Sequence, residues 1–493
     1  MLYKITNKKF IIILIIGALL TVAICMLIGL NQSVWFDEAY SIMLAKRSVS
    51  DLITLTSVDV HPPLYYLILK LWAGLFGFGE ISLRSLSAIT AGGAVFFGGL
   101  LIKKAFNNRI ALTALPFIVL APFLLRYGFE IRMYAFASLI GILATYILVL
   151  ALNATSRRNE IILYVIYVIL VVVGIYSLYY MALIWISHLV WLIWLTLKNN
   201  KSMFKSGWFI SFIISFAIFI PWLPIFIKQI SNGALAAISQ SLNLNNLTGI
   251  FSFLSVYQPS WQLSAPVSMM VLFVIFATIF FSIKAFKIVS EKQKPYLVLL
   301  VIYALVPIII LAVISLARPM YVERYLAHTI IGAYLFIGVA VAMVVYRNNS
   351  IKIWLSAGAL LLIMIFGVFQ LSQFGNYNFQ RLQKPTIKDL AAKITICDDQ
   401  NMILAAGPYE AIELSYYLPN CNINFYSNSS AFGGGYAPLS ESNLRIFDIK
   451  NQLSGIQQVF YVHYGQSELE IPSSFEYRSD QSYGSMVLET FKR

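Results

Sequence analysis

Charge is scarce in this 493-residue chain: 11% of its residues are Asp, Glu, Lys or Arg, while 59% are hydrophobic. A soluble globular protein carries roughly a quarter charged residues, so that class is excluded. Cysteine is scarcer still. Cys25, Cys397 and Cys421 are too few for a disulfide scaffold or for the paired spacing of a zinc ribbon. Acids are outnumbered 21 to 35 by Lys and Arg, for a net charge of +14. Nucleic-acid binding would mass that excess on one domain, but here the cations recur in short clusters between apolar runs. The pattern excludes nucleic acid as a partner and reads as membrane topology, with the lipid bilayer as the partner that organises the chain.

About 20 apolar residues in a helix cross the hydrocarbon, and shorter upright segments are tolerated. Eleven runs qualify, at Phe10–Leu30, Ser85–Ile102, Ile110–Leu125, Met133–Thr155, Ile161–Ser177, Met181–Leu197, Gly207–Ile227, Ala265–Ile283, Tyr296–Ala317, Leu326–Tyr346 and Ile353–Leu371. The first is too long for a signal-peptide core and has no small-residue cleavage site before Trp35, so it reads as a retained anchor. A further apolar stretch, Leu64–Gly79, contains Lys70 and is assigned to the membrane surface on charge grounds. With it on the surface, Lys4, Lys8, Lys9, Lys103, Lys104, Arg109, Arg157, Arg158, Lys198, Lys201, Lys205, Lys284, Lys287, Lys292, Lys294, Arg347 and Lys352 share one side. These seventeen cations face nine on the other side, which makes theirs the cytoplasmic face of a plasma or inner membrane. The N-terminus is then cytoplasmic, and everything after about Ser372 is extracytoplasmic.

The expected fold is a polytopic α-helical membrane protein of about 11 transmembrane helices over residues 1–371, with an outer loop at 31–84. Residues 372–493 form a small extracytoplasmic α/β domain. The tail predicts helices at Lys388–Ile396 and Tyr409–Tyr417 and strands at Met402–Ala406, Ile423–Tyr426 and Val459–Tyr464, alternating as α/β domains do. Its Gly433, Gly434, Gly435 run precedes no helical pattern, which argues against a phosphate loop. Cys397 and Cys421 share this domain, where an oxidising compartment permits a disulfide.

Four polar clusters interrupt the apolar pattern, all on the outer side. Trp35-Phe36-Asp37-Glu38-Ala39-Tyr40-Ser41 puts two adjacent acids just past the first run. They fit either a helix start complemented by negative charge or a carboxylate acting as general base at the lipid–water boundary. Asp59-Val60-His61-Pro62-Pro63 follows in the same loop; Asp59 and His61 could orient a proton carrier or hold a divalent ion. Arg126 to Tyr134 places Arg126, Glu130, Arg132 and Tyr134 in a short outer turn, where a bundle-locking ion pair and a lipid-phosphate site are both open readings. Arg318 to His328 brings Arg324 and Tyr325 to the start of a span. A carrier would set its ionisable groups near mid-membrane, and the spans here have almost none apart from His188.

The segments WFDEAYS, HPPLYYLILKLWAGLFGFGEISLRSLSA, RYGFEIRMYAFA and ERYLAH, in this order over about the first 330 residues, resemble the GT-C glycosyltransferases. Within them they are similar to the bacterial family-39-like group of protein O-mannosyltransferases and lipid A aminoarabinose transferases. The resemblance implies a GT-C-like fold and a polyprenyl-phosphate-linked sugar as donor, never a nucleotide sugar. Transfer would occur on the outer face, usually with inversion, to an acceptor that is protein, lipid or glycan. It implies Asp37 as the catalytic acid position and Glu38 as its companion. Arg126, Glu130, Arg132, Tyr134, Arg324 and Tyr325 would serve the donor phosphate. No cofactor is required by this scheme; a divalent ion is optional, with Asp59 and His61 as candidate ligands. The same outer clusters also suit a non-enzymatic lipid-linked-sugar transporter or scaffold. The adjacent carboxylates favour the enzyme, because phosphate binding gains nothing from them.

Overall fold

The computed structural model describes every residue except 1–5, 201, 205, 232–243, 259–262, 318–322, 349, 374–385, 428–438, 440–443, 465–468, 470 and 484–485. Arg318 and the Gly433–Gly435 run therefore lie outside the described residues. Seventeen helices make up the part before the tail: α1 (Asn7–Gly29), α2 (Phe36–Lys46), α3 (Val49–Ser57), α4 (Leu64–Phe76), α5 (Glu80–Ala105), α6 (Asn108–Val119), α7 (Pro122–Tyr127), α8 (Tyr134–Leu152), α9 (Arg157–Ser177), α10 (Ala182–Lys198), α11 (Gly207–Phe219), α12 (Leu223–Ser231), α13 (Leu244–Ser255), α14 (Ala265–Ile288), α15 (Lys294–Ala317), α16 (Ala327–Arg347) and α17 (Ile351–Leu371).

Among the described residues ten helical segments are long and apolar enough to cross a membrane, one fewer than the sequence predicts. The missing one is Ile110–Leu125. Pro116 is tolerated inside α6, but Pro122 cannot donate to the ladder, so the segment divides into a 12-residue helix and a six-residue helix. The broken pair still travels the length of the bundle. At its start the Asn108 amide donates to Asn7 Oδ1 at 3.4 Å, beside the beginning of α1. Just beyond its end the Ile131 amide donates to Glu38 at 3.0 Å, past the end of α1.

α5 and α16 run through the middle of the bundle, whereas α11 and α17 turn mostly apolar residues outward. α1 and α5 pack closely: a Cβ on Gly92 would meet the Ala18 carbonyl oxygen at 2.8 Å, so only glycine fits there. α4 has 13 residues and is too short to cross. It exposes Leu71, Leu75 and Phe76 and stops at Gly77, whose φ of +86° is open to glycine. A surface helix is what the charge argument for Leu64–Gly79 required.

The tail is a separate domain of α18 (Ile387–Ala391), β1 (Asn401–Ala405), α19 (Pro408–Tyr417), β2 (Ile423–Tyr426), β3 (Arg445–Ile446), α20 (Ile449–Gln452), β4 (Gln458–Tyr464), β5 (Glu476–Tyr483) and β6 (Met486–Lys492). Its six strands are ordered β3-β2-β1-β4-β6-β5, parallel among the first four and antiparallel at the β4–β6–β5 side. β1 is buried at every residue, as a central parallel strand should be. Cys397 and Cys421 are bonded, with Cα atoms 4.6 Å apart. The domain sits on the end of the bundle that holds residues 31–84: Lys388 pairs with Glu80 at 3.1 Å, and the Tyr416 hydroxyl donates to the Phe78 carbonyl at 3.1 Å.

Candidate active site

The segment Asn31–Val34 turns the chain back over the end of the bundle, and α2 begins at Phe36. Asp37 and Glu38 occupy its first turn, where negative charge complements the helix dipole. The two neighbours then diverge. Glu38 is fully buried and accepts from the Trp35 amide at 3.2 Å, the Ile131 amide at 3.0 Å and the Arg84 guanidinium at 3.2 Å. Asp37 is 6% exposed, and its Oδ2 lies 3.1 Å from Arg324 Nη1 and 3.9 Å from Arg132 Nη2.

Arg132 is the hub of the layer. It reaches the Asp37 carbonyl oxygen at 3.5 Å, Ser41 Oγ at 3.2 Å and the Tyr66 hydroxyl at 3.3 Å, tying α2 and α4 to the turn before α8. Arg126 pairs with Glu130 at 2.9 Å and lies over the rings of Tyr127 and Phe129. It touches Glu130, not Asp37. Burial raises the Glu130 carboxyl to about 7, against the opposing pull of Arg126. Tyr134 is buried within electrostatic reach of Arg324 and Arg132. Tyr325 departs from the cluster: it stacks on Tyr180 at 4.4 Å, and the next turn is anchored by His328 against the Tyr180 carbonyl at 2.9 Å.

Asp59 and His61 reach the same layer. Burial raises Asp59 to about 7, opposed by the Val60 amide, Arg132 and the Tyr40 hydroxyl. His61 is held well below its ordinary value by burial and then by the charges of Arg132 and Arg324, so it is neutral. For a divalent ion these are two donors facing a guanidinium, and no group of three His, Cys, Asp or Glu forms among the described residues. That donor set does not fit a resident metal.

Arg84 was not singled out by the sequence. It is 2% exposed, bonds Glu38, donates to the carbonyls of Gln32 at 2.9 Å and Ser33 at 3.0 Å, and lies 3.5 Å from Glu80. A signal was available: an arginine four residues after Glu80 at the outer start of a span goes against the positive-inside bias and therefore needs a buried partner.

Residues 60–225 match the family model described as dolichyl-phosphate-mannose-protein mannosyltransferase. No curated protein matches the chain by sequence. Among solved structures, ArnT from Cupriavidus metallidurans in the apo state is similar with a TM-score of 0.64 at 11% identity, covering 98% of each chain. The same protein bound to undecaprenyl phosphate gives 0.65 at 12% identity, again over 98% of each. The oligosaccharyltransferase AglB from Archaeoglobus fulgidus, in complex with an inhibitory peptide and a dolichol-phosphate, gives 0.51 at 13% identity, covering 93% of this chain and 70% of that one. The chain thus shares its fold with ArnT along nearly its whole length, and its segment 60–225 matches the mannosyltransferase family model.

Proposed function

We propose that this chain transfers a glycosyl group from a polyprenyl-phosphate-linked donor to an acceptor hydroxyl on protein, lipid or glycan, with Asp37 as general base. The observation that carries the reading is the Asp37 carboxylate held between Arg132 and Arg324 in a nearly enclosed layer at one end of a membrane bundle. The proton of the acceptor hydroxyl passes to Asp37, and the acceptor oxygen forms its bond to the anomeric carbon. The bond from that carbon to the phosphate oxygen breaks on the far face, so the configuration inverts. The leaving phosphate keeps the electron pair and is met by guanidinium, whose paired donors suit its oxygens. Glu38, with three donors on its carboxylate, holds the helix start in place.

The fold supports the lipid half of the donor as well. An apolar cavity of about 530 Å³ lies among α13 to α17, lined by residues such as Leu254, Val274, Ile308, Ile337 and Leu360. It offers a prenyl chain an apolar place within the bundle. The seventeen-to-nine distribution of cations supports putting the layer and the tail domain outside the cell membrane, with the N-terminus inside. A reporter active only in the cytoplasm, fused after Arg493, should stay silent; activity there would reverse the orientation.

The chemical test is Asp37→Asn, which keeps size and loses basicity. With a radiolabelled polyprenyl-phosphate sugar, transfer should fall by about 10² to 10⁴ while donor binding persists. Wild-type transfer by the folded variant would remove the assignment. Undiminished movement of lipid-linked sugar by that variant would favour a transporter or scaffold.

A further inference from the structure

α19 lies along the start of α2, and one face of it meets Val34 and Phe36 there. The Tyr409 and Phe36 rings meet edge-on with centroids 4.4 Å apart. The Glu413 carboxylate lies against the Phe36 amide. The Tyr417 hydroxyl accepts the Val34 amide at 2.6 Å. Positions 409, 413 and 417 are four apart and share a helix face, and their targets are Val34 and Phe36, just before Asp37. The first amides of a helix have no backbone partner within it; here the second domain faces the Phe36 amide with Glu413 and accepts the Val34 amide just before the helix.

The same hydroxyl reaches a second branch. The Tyr417 hydroxyl lies within electrostatic reach of Glu80, the acid that pairs with Lys388 at 3.1 Å and with Arg84 at 3.5 Å. Arg84 in turn bonds Glu38. A continuous polar chain therefore runs from Lys388 in the tail domain, through Glu80 and Arg84, to the residue next to Asp37.

We infer that the C-terminal domain is part of the site's positioning machinery: Tyr417, Glu413 and Lys388 are positioning residues that fix the first turn of α2 and so aim the Asp37 carboxylate. None of the three touches Asp37. Their effect comes through the backbone that carries it, and small displacements of a reacting group cost rate steeply. In its kinetic arm the inference rests on the reading of Asp37 as base.

Tyr417→Phe in the full-length protein keeps the ring and removes the hydroxyl. Hydrogen exchange of amides 34–37 should quicken by about three- to tenfold, the worth of one such bond, while β4 amides keep their protection. kcat should fall by a similar factor with KM for the lipid-linked donor unchanged, because the arginines that meet phosphate are untouched. Glu413→Gln still accepts the Phe36 amide and should keep kcat, whereas Glu413→Ala should lower it. This pair decides the matter should Tyr417→Phe fail to fold. A role in stability alone predicts a lower Tm with unchanged kcat and unchanged exchange at 34–37, and that result overturns the inference. If the wild-type chain transfers no sugar, the proposed function fails, and the exchange measurement still decides whether the tail domain fixes the start of α2.

Discussion

At the end of the bundle where α1 begins, Arg157 reaches Glu160 at 2.8 Å with its side chain 69% exposed, and Lys198 and Lys294 share Glu291, itself 77% exposed. At the opposite end Arg84 and Arg132 are 2% and 5% exposed and are locked to Glu38 and Asp37. Exposed pairs of the first kind contribute little, because water already solvates both partners. In the second kind each charge has given up its water and depends on the partners buried with it. The cations of the first end act by number and can be exchanged for one another; those of the second act by position.

The contrast is sharpest in stability. Arg84→Met would leave Glu38 buried without its cation, a loss of roughly 3 to 5 kcal/mol, read as a large drop in Tm in detergent. Arg157→Gln, at the other end, should stay within about 0.5 kcal/mol of wild type. Equal effects from the two variants would erase the distinction. Next in size is Arg324→Ala, which removes one charged hydrogen-bond partner worth roughly 1.5 to 3 kcal/mol. Donor affinity or transfer should drop by about tenfold to a hundredfold; normal binding and transfer would reduce Arg324 to a lock on Asp37.

A further test concerns pH. Asp59 is raised from 3.8 to about 7 by burial, so the folded protein holds this proton more tightly than the unfolded chain does. Its contribution to stability is full below about pH 4, declines as pH rises through the window to about 7, and is flat above. Asp59→Asn cannot ionise and should match wild type near pH 4 while melting higher at pH 8. A variant that melts lower at pH 8 would mean that the ionised carboxylate has a partner.

Local features of the site were legible in the sequence and its long-range pairings were not. That Asp37, Arg132 and Arg324 share one end of the bundle follows from apolar runs and short polar turns, which hydropathy and charge describe. That Asp37 would meet Arg324, 287 positions away, depends on how α16 packs in the bundle, and no periodicity encodes that. The interrupted third crossing was read as one run because hydropathy does not register the amide that Pro122 lacks. In the tail, β1, α19, β2 and β4 fall where alternation placed them. β5 was invisible, since it is exposed at every residue but Tyr483, and an edge strand of that kind shows no buried–exposed alternation.

The sequence distances within the charged layer also set a schedule. Glu38 meets Arg84 after 46 further residues, Asp37 meets Arg132 after 95 and Arg324 after 287, and Val34 meets Tyr417 after 383. At roughly 5–20 residues per second of synthesis, a newborn α2 waits on the order of 15–60 s for its last arginine and longer for the tail. A nascent chain therefore carries its carboxylates before the groups that aim them. The layer is completed only as the last domain emerges, which ties competence to completion of the polypeptide.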